Sequence, residues 1–269
     1  MPESTPETGL AHIKIILVEP SGALNVGSVA RVMKNMGLNQ MVLVNPQCDW
    51  LSPEARQMAV HAIDVLEAAQ EVATLPAALR GCQKAIATTG RDRTAPSVNL
   101  EPARTTLPWL LEASSHHPSW QSALIFGRED RGLTKEELNY AQRSIRIPSS
   151  DIYPSLNLAQ AVAICCYELY VYVLERKELS DRQPETSFPS SLTPVVDLAS
   201  LDTLEGYYQQ LEALLLKIGY LYPHTSASRM EKLRRLYNRA DLSDPEVAML
   251  RGVLSQVEWA LYVQQSDSR

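Results

Sequence analysis

The sequence predicts an α/β fold built on a mostly parallel sheet, followed by a small all-helical extension. Three observations carry this. Between residues 12 and 179, short apolar runs bounded by turn residues alternate with helical patterns, as in a parallel sheet with helices packed on it. Residues 180–197 hold three prolines, Pro184, Pro189 and Pro194, among serines and threonines, and read as a linker. From residue 198 to 269 only helical periodicity remains. Residues 1–11 are polar, carry two prolines and read as a flexible N-terminus.

Each element has its own signal. Ile13 to Val18 is an uninterrupted apolar strand. Asn25 to Met36 has helical spacing with Asn25 as its cap, and Gly37 supplies the left-handed residue that a helix end favours. Met41–Val44, Ala85–Thr88 and Ala123–Phe126 are further short buried strands, and Ser144–Ile147 is the last. Thr134 and Glu137 have capping-box spacing and start a helix. A long helix then runs from Leu158 to Leu179, with Ala161, Ile164, Cys165, Leu169 and Val173 along one apolar face. In the extension, Leu201, Leu204, Tyr208, Leu211 and Leu215 mark one helix and Ser226–Asn238 a second. A third runs from Asp244 to Val263, with Asp244 as cap and Pro245 at the first helical position.

Composition excludes some classes. The hydrophobic fraction of 45% and charged fraction of 21% are those of an ordinary globular chain. A net charge of −6 argues against non-specific coating of nucleic acid, though not against a local basic patch. The four cysteines, Cys48, Cys82, Cys165 and Cys166, show no C-x-x-C spacing, so no metal site is expected. No signal-peptide core is visible, and no apolar run approaches the ~18 residues of a membrane span. A cytoplasmic protein without membrane partners is expected.

Three separated segments place small and polar residues where a strand hands over to a loop or helix, the place where open α/β sheets bind ligands. The first runs from Asn25 through Gly27 to Arg31, after the first strand. The second is Phe126 to Leu133, containing Gly127, Arg128 and Glu129. The third is Pro154-Ser155-Leu156-Asn157, opening the long helix. Gly22 to Ser28 comes close to a phosphate-binding loop, but its essential lysine is missing, which argues against nucleotide hydrolysis. No G-x-G-x-x-G follows any strand, which argues against a dinucleotide fold. By local pattern alone, Asn25 caps a helix, Arg31 meets a surface carboxylate, and Ser155 or Asn157 caps the long helix.

Taken together and in this order, the segments resemble the SPOUT family of knotted RNA methyltransferases, most of all its TrmJ branch. N-x-G-x-x-x-R (Asn25 to Arg31), G-x-E-x-x-G-L (Gly127 to Leu133) and S-L-N-L-A (Ser155 to Ala159) match its three motifs. The resemblance implies a deep C-terminal trefoil knot in the α/β domain and S-adenosylmethionine as cofactor. It also implies a homodimer with the cofactor site near the interface. The implied reaction is 2′-O-ribose methylation of tRNA at nucleotide 32 of the anticodon loop, on cytidine, uridine or both. Alternatives of the same fold are a 2′-O-methyltransferase for another tRNA or ribosomal RNA position, and a tRNA-binding protein without catalysis. By resemblance, Thr89, Gly90, Arg91, Gly127, Glu129, Ile147, Pro154, Ser155, Leu156 and Asn157 bind the cofactor. Arg31, with Asn25 and Ser155, is the catalytic set.

Arginine has a pKa above ~12 and is a poor base, so clamping a phosphate and steadying a developing alkoxide is the physically easier role for Arg31. In the extension, Arg229, Lys232, Arg234, Arg235 and Arg239 lie against the single acid Glu231, with Tyr222 and Tyr237 nearby. This run is the expected tRNA contact.

Overall fold

The computed structural model describes residues 9–90, 100–112, 120–182 and 198–267. Arg91, residues 1–8 of the N-terminal stretch and residues 183–197 of the expected linker lie outside the described residues. The chain divides into two compact units, residues 1–195 and 196–269.

Unit 1 is built on strands β1 (Ile13–Val18), β2 (Gln40–Val44), β3 (Gln70–Val72), β4 (Lys84–Thr88), β5 (Leu100–Pro102), β6 (Ser122–Phe126) and β7 (Arg143–Arg146). They form one seven-stranded sheet in the order β3-β2-β1-β6-β4-β7-β5. Every neighbouring pair is parallel. Strand β6, which joins β1 to β4, is buried at every position, and β1, β2 and β4 are nearly so. That two-sided burial is why these strands read as apolar runs without alternation.

The helices are α1 (Ala23–Asn35), α2 (Pro53–Ala59), α3 (Ile63–Glu67), α4 (Leu75–Ala78), α5 (Ala103–Thr106), α6 (Lys135–Leu138) and α7 (Leu158–Arg182), with short 3₁₀ turns at Leu10–His12 and Leu107–Leu111. Helix α1 packs on α2, α3 and α7. A Cβ at Gly27 would lie 2.1 Å from the carbonyl oxygen of Ala55, so the close approach that this glycine permits is to α2. Gly37 ends α1's terminal turn with φ 71° and Thr134–Glu137 form the full capping box at α6.

Two expectations for unit 1 are corrected. Helix α1 begins at Ala23, and Asn25 makes no cap: it lies inside the helix with Gly22 in the capping position. Helix α7 is long and apolar enough, by length and composition, to cross a membrane. No uninterrupted apolar run marks it, because Gln160, Glu168 and several tyrosines are spread through it. One side of α7, with Leu158, Val162, Cys165, Cys166 and Leu169, belongs to the core that β1 and α1 also build.

Unit 2 contains α8 (Leu201–Lys217), α9 (Ser226–Asn238) and α10 (Asp244–Asp267). Its core is Leu204, Tyr207, Tyr208, Leu211, Leu214, Leu221, Met230, Val247 and Leu254. Asp244 is the first helical residue of α10. Ser243 precedes it, and there the Glu246 carboxylate accepts from the Ser243 N–H and hydroxyl, at 2.8 and 2.7 Å.

Candidate active site

In a parallel sheet the C-terminal ends of all strands lie along one edge. Here that edge gathers the turn after β1 (residues 19–22), the pair Thr89–Gly90 after β4, the loop 127–133 after β6, and the stretch 147–157 after β7. The last three of these surround a cavity of about 440 Å³, within the usual range of small-molecule sites. Thr89, Gly90, Gly127, Glu129, Ile147, Pro154, Ser155 and Leu156 line it. So do Thr88, Phe126, Arg128, Asp130, Arg131, Gly132, Leu158 and Ala161, which the sequence motifs did not single out for the pocket.

Hydrogen bonds join the three motif segments. The Glu129 carboxylate accepts from the Ser21 N–H and hydroxyl, the Gly22 N–H and the Asn25 side-chain amide, each at 3.0 Å. It therefore supplies to the start of α1 the anionic partner that a helix N-terminus favours. The Asn25 carbonyl accepts in turn from the Asn157 side-chain amide at 2.9 Å. The Asn157 oxygen caps α7 through the Ala159 N–H at 2.9 Å. One chain of contacts, Glu129–Asn25–Asn157, thus fixes both helix starts to the loop after β6. Asn25, Glu129 and Asn157 are positioning residues in this arrangement. Burial alone would raise the Glu129 pKa, but the hydrogen bonds from Asn25, Ser21 and Gly22 outweigh it and hold the carboxyl below its usual 4.5.

A second brace was invisible in the motifs. Arg131 pairs with Glu19 at 2.9 Å and with Glu137 at 3.0 Å, tying the loop after β6 to the end of β1 and the start of α6. Its hydrogen bonds to Glu137 and Glu19 push its pKa further up, and the Arg131 hydrogen bond holds Glu19 low. Glu19 sits in the left-handed region with φ 49°, an uncommon conformation for a residue other than glycine. Arg128 ion-pairs with Asp130 at 3.1 Å.

Gly127 lines the cavity for a different reason from the one its motif suggests. A Cβ there would lie 2.2 Å from the Gly132 carbonyl carbon and 2.3 Å from the Leu133 nitrogen, so the space it saves is taken by the protein's own loop. Gly127→Ala should therefore push residues 132–133 out of place. The expected loss is about 3 kcal/mol of stability, as for overpacking against an unyielding wall. A urea midpoint that falls at constant slope, together with weaker ligand binding, checks this. At Gly90 the nearest atom to such a Cβ is the Pro154 oxygen at 3.9 Å, which is ordinary contact.

Arg31 and Ser155 are placed differently. Ser155 faces the cavity from an exposed stretch. Arg31 does not line the cavity; it is exposed on α1, and among the described residues it has no hydrogen bond or ion pair. It stands six residues beyond Asn25, about 9 Å along the helix axis.

In unit 2 the basic run separates into two kinds. Arg234 forms a two-pronged pair with Glu205 at 2.6 and 2.8 Å and lies over the Tyr208 ring at 4.6 Å. Arg235 pairs with Glu231 at 3.1 Å. Arg229, Lys232 and Arg239 are exposed. Tyr237 packs edge-on against Tyr207 at 5.2 Å, inside the unit, whereas Tyr222 is exposed.

The comparisons with known proteins agree with this geometry. The model of the SpoU rRNA Methylase family matches residues 12–167. That of the TrmJ tRNA methyltransferase C-terminal domain matches residues 202–268. The chain is 40% identical over 93% of its length, and 95% of the relative's, to the tRNA (cytidine/uridine/adenosine-2′-O-)-methyltransferase TrmJ of Pseudomonas aeruginosa (strain UCBPP-PA14). It is 42% identical, over 93% and 98% of the two chains, to the tRNA (cytidine/uridine-2′-O-)-methyltransferase TrmJ of Pectobacterium atrosepticum. The crystal structure of TrmJ from Z. mobilis ZM4 superposes with a TM-score of 0.75 at 29% identity, covering 91% of this chain and 98% of that one. Fold, motif geometry and similarity along both units converge: the chain belongs to the SpoU methylase family, in its TrmJ branch.

Proposed function

We propose that this protein transfers the methyl group of S-adenosylmethionine to a ribose 2′-hydroxyl of tRNA, at nucleotide 32 of the anticodon loop, on cytidine, uridine or both. The observation that carries the reading is the Glu129–Asn25–Asn157 chain, which ties the first motif segment to the two that wall the cavity, in a chain of the TrmJ branch. The walls suit that cofactor. Phe126, Ile147, Leu156 and Leu158 offer apolar surface to a purine. When bound, S-adenosylmethionine supplies a methyl group on a sulfonium, already activated for transfer. Thr89, Gly90, Gly127, Ile147 and Pro154–Leu156 would hold it, while Asn157 and Glu129 keep their loops in place. Arg91 remains assigned to this site by resemblance alone. The Ser155 hydroxyl would lie beside the reacting groups.

Arg31 would act from outside its own cavity, in a homodimer where each protomer's Arg31 serves a shared site. Its exposure on α1, free of any partner among the described residues, supports this. So does the side of α7 turned away from the core, where Ala163, Ile164, Tyr167, Val171 and Leu174 share one half-covered apolar face. There the guanidinium would clamp a substrate phosphate and steady the negative charge that develops on the 2′-oxygen.

Unit 2 would hold tRNA through Arg229, Lys232 and Arg239; Arg234 and Arg235 already have carboxylate partners in this chain. Lys232→Ala/Arg239→Ala should make tRNA binding less salt-dependent, lowering the log–log slope by about 1.4, or roughly 0.7 per lost phosphate contact. Titrations at three salt concentrations check it.

The reading as a whole is tested with methyl-labelled S-adenosylmethionine and bulk tRNA or ribosomal RNA. Label entering tRNA alone is the expected result. Label entering only ribosomal RNA would move the substrate elsewhere, and tRNA binding without transfer would identify a non-catalytic relative.

A further inference from the structure

Unit 2 displays two tyrosines on the connection between α8 and α9. Tyr220 is 58% and Tyr222 54% exposed, whereas Leu221 between them is 1% exposed. The connection is held rigidly. Gly219, with φ 76°, turns the chain at the end of α8. The Tyr220 and Leu221 N–H groups both donate to the Leu215 carbonyl at 3.0 Å, closing the helix end as a left-handed cap does. The Tyr222 carbonyl accepts from the Thr225 and Ser226 N–H groups, each at 2.9 Å. Leu221 therefore anchors a fixed turn from which two rings face solvent.

Both rings have neighbours suited to an anionic, aromatic ligand. The Arg229 guanidinium lies 5.7 Å from the centre of the Tyr220 ring and donates to the Tyr220 carbonyl at 2.9 Å. The His224 ring stacks on Tyr222 at 5.9 Å with 26° between planes. From Lys217 to Arg229 the chain contains two permanent cations and no acid. A surface built only to bind another protein's apolar face has no need of that one-signed charge. Rigid aromatic rings beside unopposed cations match an unpaired nucleotide, whose base stacks on a ring while its phosphate meets an arginine.

We propose that Tyr220 and Tyr222, flanked by His224 and Arg229, form a platform on which unpaired bases of the tRNA substrate stack. The platform rests on the reading of the chain as a tRNA methyltransferase and specifies how unit 2 engages that RNA. Its two rings contribute affinity that salt does not screen, in contrast to the phosphate contacts of Arg229, Lys232 and Arg239.

The test uses the full-length protein as wild type, Tyr220→Ala/Tyr222→Ala and Tyr220→Phe/Tyr222→Phe, titrated with an unmodified tRNA transcript and with a blunt RNA duplex at three salt concentrations. The rings are exposed, so the alanine variant should keep the helical circular dichroism of the parent. It is expected to bind tRNA about tenfold more weakly at every salt concentration with an unchanged slope, within the range that loss of base–aromatic stacking gives. The phenylalanine variant should bind like wild type, and all three should bind the duplex equally. Wild-type tRNA affinity in the alanine variant overturns the platform and leaves the tRNA reading standing, since wild-type binding is measured alongside. Equal loss of duplex and tRNA binding also overturns it, as does loss of self-association with tRNA binding intact. Failure of the wild-type protein to bind tRNA overturns the underlying reading itself.

Discussion

Arg31→Ala is expected to lower the rate of methyl transfer to tRNA by about 10²–10³-fold, the cost of removing one preorganised donor from a developing oxyanion. The side chain is exposed and makes no hydrogen bond or ion pair within the described residues, so the variant should keep the parent's melting temperature. It does not line the cavity, so cofactor affinity should also be unchanged. Arg31→Lys should recover little, because a single ammonium cannot reproduce the planar two-pronged grip of a guanidinium. Single-turnover kinetics with calorimetric cofactor binding separate the two quantities. Near-normal transfer by either variant would remove Arg31 from the reaction.

Glu129→Ala should have the largest effect on the architecture of the site. Four donors, the Ser21 N–H and hydroxyl, the Gly22 N–H and the Asn25 amide, lose their acceptor together. Leaving buried donors unpaired costs about 1–3 kcal/mol. The Ser21 side is exposed and water replaces part of that loss, so about 2 kcal/mol is expected overall. Freed from Glu129, Asn25 no longer holds Asn157, and cofactor affinity should fall with stability. Glu129→Gln should fall between the two proteins, since an amide nitrogen cannot accept from the donors it would face.

The pH dependence has a definite sign. The Glu129 pKa is lower folded than its usual 4.5, so its stabilisation is present above that value and is lost as pH falls through the lowered one. The stability gap between wild type and Glu129→Gln should therefore be constant near neutrality and narrow below pH 4.5. Urea titrations of both proteins from neutral to acid pH measure it. A gap that widens in acid would contradict the hydrogen-bonded carboxylate.

What could be read from the sequence follows from how local each cause is. The four central strands are legible because burial on both faces forces unbroken apolar runs, and Gly37 and Thr134–Glu137 are legible because a helix end is a local event. The edge strands are not. Gln70–Val72 and Leu100–Pro102 are three residues each, only partly covered, and carry no apolar pattern. The start of α1 misleads because its anionic partner, Glu129, stands more than a hundred positions away. Asn25 has the composition of a cap yet spends its amide on Glu129 and Asn157. The motifs mark Gly127 and Glu129 but not their physical roles, a close backbone approach and a four-fold acceptor. By charge alone Arg234 and Lys232 are alike, and only pairing with Glu205 in space distinguishes them.

The central claim is most directly tested by incubating an unmodified tRNA transcript with the protein and S-adenosylmethionine, then mapping the product nucleotide by nucleotide. Mass spectrometry locates the added methyl, and alkaline hydrolysis tells whether it sits on the ribose, because a methylated 2′-oxygen can no longer cleave its neighbouring phosphodiester. The account predicts a single alkali-resistant linkage after nucleotide 32, absent with Arg31→Ala. A methyl group on a base, or a 2′-O-methyl elsewhere in the tRNA with nucleotide 32 untouched, would contradict it.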